Sequence, residues 1–291
     1  MSASGPAPTG GAEPGRSASG TGDFSVLLPV YAADRVDQFE ASFESVTAAQ
    51  TLAPAQVVLV RDGPVGEALG LTLARLARRR DVDLVASPRN RGLAAALNAG
   101  LAACRHDVVA RQDADDLSRP ERFALTVPLV ADGAADLVGA ALREFRDKPG
   151  DLGRRERVYP TQADGIVRAA RLVNPVAHPT VVYRRAAVLA QGGYRPFHHL
   201  EDYDLWVRLL RAGARVLNLP DVLVDYRVSP AAYRRRGGWA TLRAEWALQR
   251  EFRRSGFTGP LAHARNLVLR GGFEIAPIKL RRWALGRLTR P

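Results

Sequence analysis

From Phe24 onward the chain alternates between short apolar runs and stretches of helical periodicity. Phe24 to Tyr31 (FSVLLPVY) is an unbroken apolar run, the pattern of a strand buried on both faces. Asp34 stands where it can cap a helix in which Val36, Phe39, Phe43 and Val46 recur at three- and four-residue spacing. Gln56 to Arg61 predicts a second strand, ending at Asp62-Gly63-Pro64. A helix over Glu67 to Arg80, a short strand over Asp83 to Ala86 and a helix carrying Leu93, Leu97 and Leu101 come next. Asp107 to Arg111 reads as a fourth strand that runs into Gln112-Asp113-Ala114-Asp115-Asp116. Pro120 opens a helix, Asp136 to Phe145 reads as a strand, and the polar stretch 146–164, with its Pro149-Gly150 turn signal, reads as a loop. Thr180 to Arg184, Arg215 to Leu219 and Val222 to Val228 are the remaining strands. Between them, Glu201-Asp202 leads into a helix with Leu205, Leu209 and Leu210 on its apolar side.

This alternation predicts an α/β fold: a Rossmann-like, mostly parallel sheet joined by right-handed crossovers and covered by helices on both faces. Such sheets bind ligands just past the carboxyl ends of their strands. Asp62 and the run Asp113 to Asp116 fall there.

Composition narrows the class. Hydrophobic residues make up 46% of 291, enough to bury one large core with an appended element. Cys104 is the single cysteine, which excludes a disulfide framework and a multi-cysteine zinc site and suits a reducing cytoplasm. Met1 to Gly22 is rich in Gly, Ala, Ser and Pro and has no apolar core, so it reads as a disordered tail rather than a signal peptide. No run of about 18 apolar residues predicts a membrane span. The net charge is +12, and the last 65 residues hold 15 Lys and Arg against 3 Asp and Glu. The excess therefore lies in one element and points to a local anionic partner.

The densest chemical signal is Asp113-Ala114-Asp115-Asp116. Three carboxylates in four residues repel one another unless a cation offsets them, and oxygen-only ligands suit Mg2+ or Mn2+. A solvated acidic turn before the Pro120 helix is the plain alternative. Asp62 could serve as turn chemistry, since Asp-Gly-Pro favours turns, or as a ligand group. Arg89 and Arg91 flank Asn90 before Gly92, which opens a helix; a helix N-terminus with guanidinium groups can hold a phosphate. Glu201-Asp202 can be a favourable charge pair at a helix start, or a general base for an acceptor hydroxyl. His178, between Ala177 and Pro179, reads by itself as structural.

Together these elements resemble the family 2 glycosyltransferases of GT-A fold, from roughly Phe24 to Val228. The resemblance rests on Pro29-Val30-Tyr31, Asp62, Arg91-Gly92-Leu93 with Leu97-Asn98 and Gly100, the D-x-D of Asp113-Ala114-Asp115, and Glu201-Asp202 followed by Trp206. Arg61-Asp62-Gly63-Pro64, Asn174 to Thr180 and the basic tail are similar to a narrower group, the exopolysaccharide and O-antigen transferases of the amylovoran type. The resemblance implies an inverting, metal-dependent transfer from a nucleotide sugar, UDP- or dTDP-linked, to a glycan or lipid-linked acceptor. It implies Pro29, Tyr31, Asp62, Arg91 and Asp113 around the donor, Asp115 with Asp113 on the metal, and Asp202 as base. Asp116, His178, Glu201 and Trp206 are secondary candidates, and the doubled Asp115-Asp116 leaves the metal-facing carboxylate open.

The expected organisation is a tail over 1–22, a catalytic domain over 23–230 and a basic helical extension over 231–291. The extension reads as two amphipathic regions. Trp239, Leu242, Trp246 and Leu248 lie in the first, and Leu267, Leu269, Phe273, Ile275, Ile278, Leu280, Trp283, Leu285 and Leu288 in the second. Trp and Leu among basic residues suit a helix on an anionic membrane surface, at the inner face of the plasma membrane, and equally a subdomain packed on the catalytic domain with a solvated basic face. A nucleotidyltransferase needs a Gly-rich loop after the first strand, where Pro29-Val30-Tyr31-Ala32 stands, and no G-x-G-x-x-G supports a dinucleotide enzyme. A basic polyanion-binding protein without catalysis explains the charge but not three carboxylates at a strand end; no nucleic-acid partner is expected.

Overall fold

Strands buried on both faces must be apolar throughout, and the first strand, β1 (Ser25–Val30), has no exposed position. A computed structural model describes residues 22–153, 155–228 and 239–275. β1 pairs in parallel with β2 (Gln56–Asp62) and β4 (Val108–Arg111), and β2 with β3 (Val82–Ser87). Beyond β4 come β5 (Leu117–Ser118), β6 (Leu137–Phe145), β7 (Glu156–Arg157), β8 (Val182–Arg184) and β9 (Val216–Arg227). The sheet order is β3-β2-β1-β4-β8-β6-β9-β5, with β7 on the flank of β6.

The mostly parallel expectation holds, and the strands that depart from it are β5, β7 and β8. β8 runs antiparallel to both β4 and β6, so β6 and β9 again point the same way as β1 to β4. The sheet is mixed, with six strands sharing one direction and their carboxyl ends along one edge. Pro29 survives in a central strand because the β1–β4 ladder ends at Leu27↔Arg111, past which no N–H is needed on that side.

Alternate residues of β1 enter different cores. Val26, Leu28 and Val30 pack with Phe39 and Phe43 of α1 (Val36–Ser45), Leu69 and Leu73 of α2 (Glu67–Leu76), and Phe123 and Val127 of α4 (Arg122–Ala131). Leu27 faces the other way, with Leu97 and Leu101 of α3 (Leu93–Ala103). That second core also holds Ile166 of α5 (Ala163–Ala170), Val188 of α6 (Arg185–Ala190), and Leu205, Trp206 and Leu209 of α7 (Glu201–Arg211). The result is three layers, as predicted.

Several local expectations change. Asp34 does not cap α1: Arg35 is the N-cap residue, and the Asp34 carboxylate accepts the Tyr31 N–H at 2.8 Å inside the preceding turn. α4 begins at Arg122, two residues after Pro120, whose carbonyl instead accepts from Thr51. The stretch 146–164 contains β7 and the first turn of α5. The two final strands are one, β9, whose register against β6 shifts between Leu219 and Val222; the Pro220-Asp221 punctuation is a bulge, not a break.

The C-terminal helices α8 (Trp239–Arg254) and α9 (Pro260–Ile275) pack on the body of the protein. Leu248 and Phe252 join Ala170, Tyr203 and Val207 in a third apolar cluster. Arg270 of α9 pairs with the buried Glu245 of α8, and its guanidinium lies 5.3 Å from the Tyr203 ring centroid. Ile278, Leu280, Trp283, Leu285, Leu288 and the tail 1–21 lie outside the described residues. Among the described residues no helix is long and apolar enough to cross a membrane. Phe252→Ala empties a fully buried site and is expected to lower unfolding free energy by about 3–5 kcal/mol, read as a shifted denaturant midpoint in one cooperative transition; two separate transitions would show that α8 is not part of the same folding unit.

Candidate active site

Three β–α junctions meet at the carboxyl edge of the sheet. β2 ends in Asp62, which is 5% exposed. Its two carboxylate oxygens accept the successive N–H groups of Arg91 (2.8 Å) and Gly92 (2.9 Å). Asp62 thereby fixes the 89–92 loop and the N-terminus of α3. The loops touch so closely that a Cβ on Gly63, at φ +90°, would lie 2.6 Å from the Asn90 nitrogen. Arg91 itself is exposed at the start of α3, and Tyr31, just past β1, is 37% exposed. Asp62 lies one residue past the last β1–β2 pair and Asp113 two past the last β1–β4 pair, with β1 between their strands.

The acidic run follows β4 and is held from behind. Ser42 of α1 donates to the Asp113 carbonyl at 2.7 Å, and Gln112 donates to the Asp116 carbonyl at 2.8 Å. Arg122, fully buried, donates to the Gln112 side chain, the Ser118 hydroxyl and the Arg111 carbonyl. The three carboxylates then diverge. Asp113 is clamped by both terminal nitrogens of Arg111, whose side chain is 2% exposed. Asp116 is fully buried: Oδ1 accepts the Arg227 N–H at 2.7 Å and Oδ2 has no partner, so burial and then the charges of Asp113 and Asp115 push its pKa well up. Asp115 stays half-buried, raised to about 6 by burial and then by Asp113, with Arg227 opposing. Of the Asp115-Asp116 doublet, only Asp115 faces outward.

Among the described residues no three His, Cys, Asp or Glu side chains converge on one point. Magnesium-type ions that work on nucleotides seldom need such a cage: one or two carboxylates suffice, with phosphate and water completing the shell. An outward carboxylate of raised pKa, a second beside it and an orphaned oxygen behind are a donor set that fits a hard cation.

The charge of Arg111 also reaches the start of α7, at Glu201. His199, at φ +61°, is the one non-glycine residue with positive φ among the described residues, and it turns the chain into Glu201-Asp202. Asp202 Oδ2 accepts from Asn174 Nδ2 at 2.6 Å, and Oδ1 from the Tyr203 N–H at 2.8 Å. Glu201 is pushed to about 7, by burial first and by Asp202 after it, while Arg111 draws it back. The charge of Arg111 also reaches His178 and Tyr194, which meet at 3.2 Å between Nε2 and the hydroxyl. Burial and then Arg111 hold His178 neutral. Trp206 is fully buried, edge-on to His178 and Tyr194, and forms the floor beneath them. Asn98 of α3 clamps Tyr194 through both its N–H and its carbonyl, at 2.8 Å each.

The structure thus brings Asp113, Asp115, Asp116, His178, Glu201 and Asp202 around Arg111, and sets Pro29, Tyr31, Asp62 and Arg91 along the neighbouring strand ends. Sequence reasoning missed Arg111, Asn174 and Arg227. Arg111 carried a usable signal, a lone cation closing a strand of otherwise apolar character; Asn174 stood in the Asn174 to Thr180 stretch that carries the narrower resemblance but had no role assigned, and Arg227 carried none. A groove of about 410 Å3 between the first turns of α1 and α2 is lined by neither the acidic run nor Asp202, so concavity alone does not mark this site.

The family model described as Glycosyl transferase family 2 matches residues 25–192. The chain is similar to the amylovoran biosynthesis glycosyltransferase AmsE of Erwinia amylovora, 36% identical over 88% of this chain and 96% of that one. It is also similar to the UDP-Gal:alpha-D-GlcNAc-diphosphoundecaprenol beta-1,3-galactosyltransferase of Escherichia coli, 30% identical over 93% and 98%. Among solved structures, S. aureus TarS 1-349 in complex with UDP-GlcNAc superposes with TM-score 0.63 at 16% identity, covering 87% of this chain and 73% of that one. The mannosyltransferase PcManGT from Pyrobaculum calidifontis, in complex with GDP-Man and Mn2+, gives TM-score 0.61 at 18% identity over 94% and 77%. Both carry the same GT-A fold.

The raised Glu201 has a consequence for stability. The folded protein holds this proton more tightly than the unfolded chain, so its contribution is full below pH 4.5 and is lost as pH rises to about 7. Glu201→Gln should therefore match the wild type in urea melts at pH 4 and exceed it at pH 8 by on the order of 3 kcal/mol; equal stability at both pH values would contradict the burial of a charged Glu201.

Proposed function

The chain belongs to glycosyl transferase family 2 and is a glycosyltransferase, and from that premise we propose an inverting transfer from a UDP- or dTDP-sugar to a hydroxyl of a glycan or lipid-linked acceptor in cell-surface polysaccharide synthesis. The observation that carries this reading is the approach of two carboxylate sets to Arg111: the acidic run past β4, whose Asp113 pairs with it, and Glu201-Asp202 at the head of α7, whose Glu201 feels its charge. One set suits the donor diphosphate and the other an attacking hydroxyl. We assign the catalytic unit to 23–230 and the helical extension to 231–291.

Asp62 holds the Arg91 and Gly92 N–H groups and so sets the Arg91 guanidinium beside the donor, where it favours phosphate. Tyr31 and Pro29 border the base and ribose. Asp115, with Asp113, would hold a divalent Mg2+ or Mn2+; when bound, such an ion supplies Lewis-acid charge to the departing diphosphate. Asp202 accepts the acceptor proton as the new C–O bond forms at the anomeric carbon, and the bond to the diphosphate breaks with its electron pair leaving on the phosphate oxygen. Attack from the face opposite the leaving group inverts that carbon. Asp202→Asn keeps the shape and removes the base, so transfer should fall by at least 10²-fold while thermal stabilisation by UDP with Mn2+ stays as in the wild type. Wild-type-like turnover would sink the base assignment.

We further infer that the extension rests on an anionic membrane. Trp239, Arg243, Trp246, Arg250 and Arg253 recur at three- and four-residue spacing along the exposed side of α8, opposite the buried Leu248 and Phe252. A stripe of tryptophan and arginine suits the headgroup boundary, and a lipid-linked acceptor would be presented there. Trp239→Ala with Trp246→Ala should lower binding to phosphatidylglycerol vesicles at least tenfold with the melting temperature unmoved; undiminished binding would refute it.

A further inference from the structure

We propose that Asn174 is a positioning residue for Asp202, holding its Oδ2 so that the carboxylate is oriented for the acceptor hydroxyl. This rests on the reading of Asp202 as base. Asn174 lies in the turn after α5, a segment separate from α7 in sequence. Its Nδ2 donates to Asp202 Oδ2 at 2.6 Å, while its Oδ1 accepts from the Val176 N–H at 3.3 Å. The second bond decides the first: with Oδ1 held by an N–H, the amide must turn its NH2 toward Asp202.

The turn that carries Asn174 is itself anchored in the sheet. Asn218 of β9 donates to the carbonyls of Pro160 (2.8 Å) and Pro175 (3.0 Å). Val176 lies over Gly139 of β6, where a Cβ would approach it to 2.5 Å and Asn218 to 2.4 Å. A rigid path therefore runs from β6 and β9 through Pro175 and Val176 to the Asn174 amide. α7 supplies the other hold on Asp202, the Tyr203 N–H. Between a helix amide and a sheet-anchored side chain, the carboxylate is fixed at both oxygens. Among the described residues, the ionisable groups that act with it include Glu201 and Tyr203 on its own helix and Tyr194 from the turn after α6, with Arg111 of β4 acting on Glu201.

Alanine at 174 frees the carboxylate to rotate, and a misplacement of about 1 Å costs roughly 10²-fold in rate. Asn174→Ala should lower kcat by that factor with the donor KM, the UDP affinity and the melting temperature unchanged. Asn174→Asp, isosteric but facing one carboxylate with another, should lower kcat further; it also keeps the test standing if the alanine variant folds poorly. In single-turnover assays with enzyme in excess, adding Asn174→Ala to Asp202→Asn should cost nothing more, because Asn174 acts only through Asp202. Equal fold-losses in both backgrounds, or a single variant within threefold of wild type, would overturn the proposal. If Asp202→Asn alone keeps full turnover, it is the base reading that fails.

Discussion

The site depends on one buried ion pair. Arg111 closes β4 with its guanidinium almost wholly removed from water, and Asp113 clamps it from the first turn beyond. A lone buried cation would cost several kcal/mol, and so would three carboxylates in four residues with nothing opposite them. Each solves the other's problem. With one carboxylate matched by Arg111 and another withdrawn to the Arg227 backbone, a single outward carboxylate keeps the loop's spare charge. Arg122, in the layer beneath, has no carboxylate partner and spends its donors on the Arg111 carbonyl, Gln112 and Ser118. Its charge is felt by Asp113 and Asp116 without being quenched by them. The acidic loop is thus an outer layer over two guanidinium groups, and its shape is set by donors that point up from the core.

The first half of the fold was legible because periodicity and burial agree there. Val26, Leu28 and Val30 against Leu27 is a period-two pattern with both faces apolar, and Phe39, Phe43, Leu97 and Leu101 are period-3.6 contacts to those same faces. Placement of Asp62 and Asp113 at strand ends followed from that alone. The second half was less legible. β8 is three residues long, and its direction is decided by partners far along the chain, which no local pattern reports. Pro220-Asp221 read as a break because turn chemistry and bulge chemistry use the same residues. The contacts that shape the site, Asn174 to Asp202 and Arg227 to Asp116, join segments 28 and 111 residues apart, and polar pairs of that kind have no period.

The basic extension was expected either to lie on a surface or to pack on the protein, and α8 has a side for each. Leu242, Glu245, Leu248 and Phe252 turn inward, and Trp239, Trp246 and the arginines turn out. The inward side touches α7 just behind the turn into Asp202: Phe252 meets the Tyr203 ring, and Arg195 joins Asp204 of α7 to Glu251 of α8. Arg208 then ties the same helix to the Gly193 carbonyl, next to Tyr194. The helix that bears Asp202 is therefore braced by the sheet on one side and by the extension on the other.

Arg227 gives the acidic loop a history as well as a shape. Its N–H is the partner of Asp116 Oδ1, and its side chain reaches the Asp115 carbonyl, yet it is made 111 residues after Asp116. At about 5–20 residues per second, the ribosome takes on the order of 10 s to cover that distance. Through that interval Asp116 has no Arg227 amide to meet. The loop takes its final form only when β9 arrives and docks beside β6. Assembly of the acidic loop therefore comes late in synthesis, and a chain stalled before β9 would carry it unfinished.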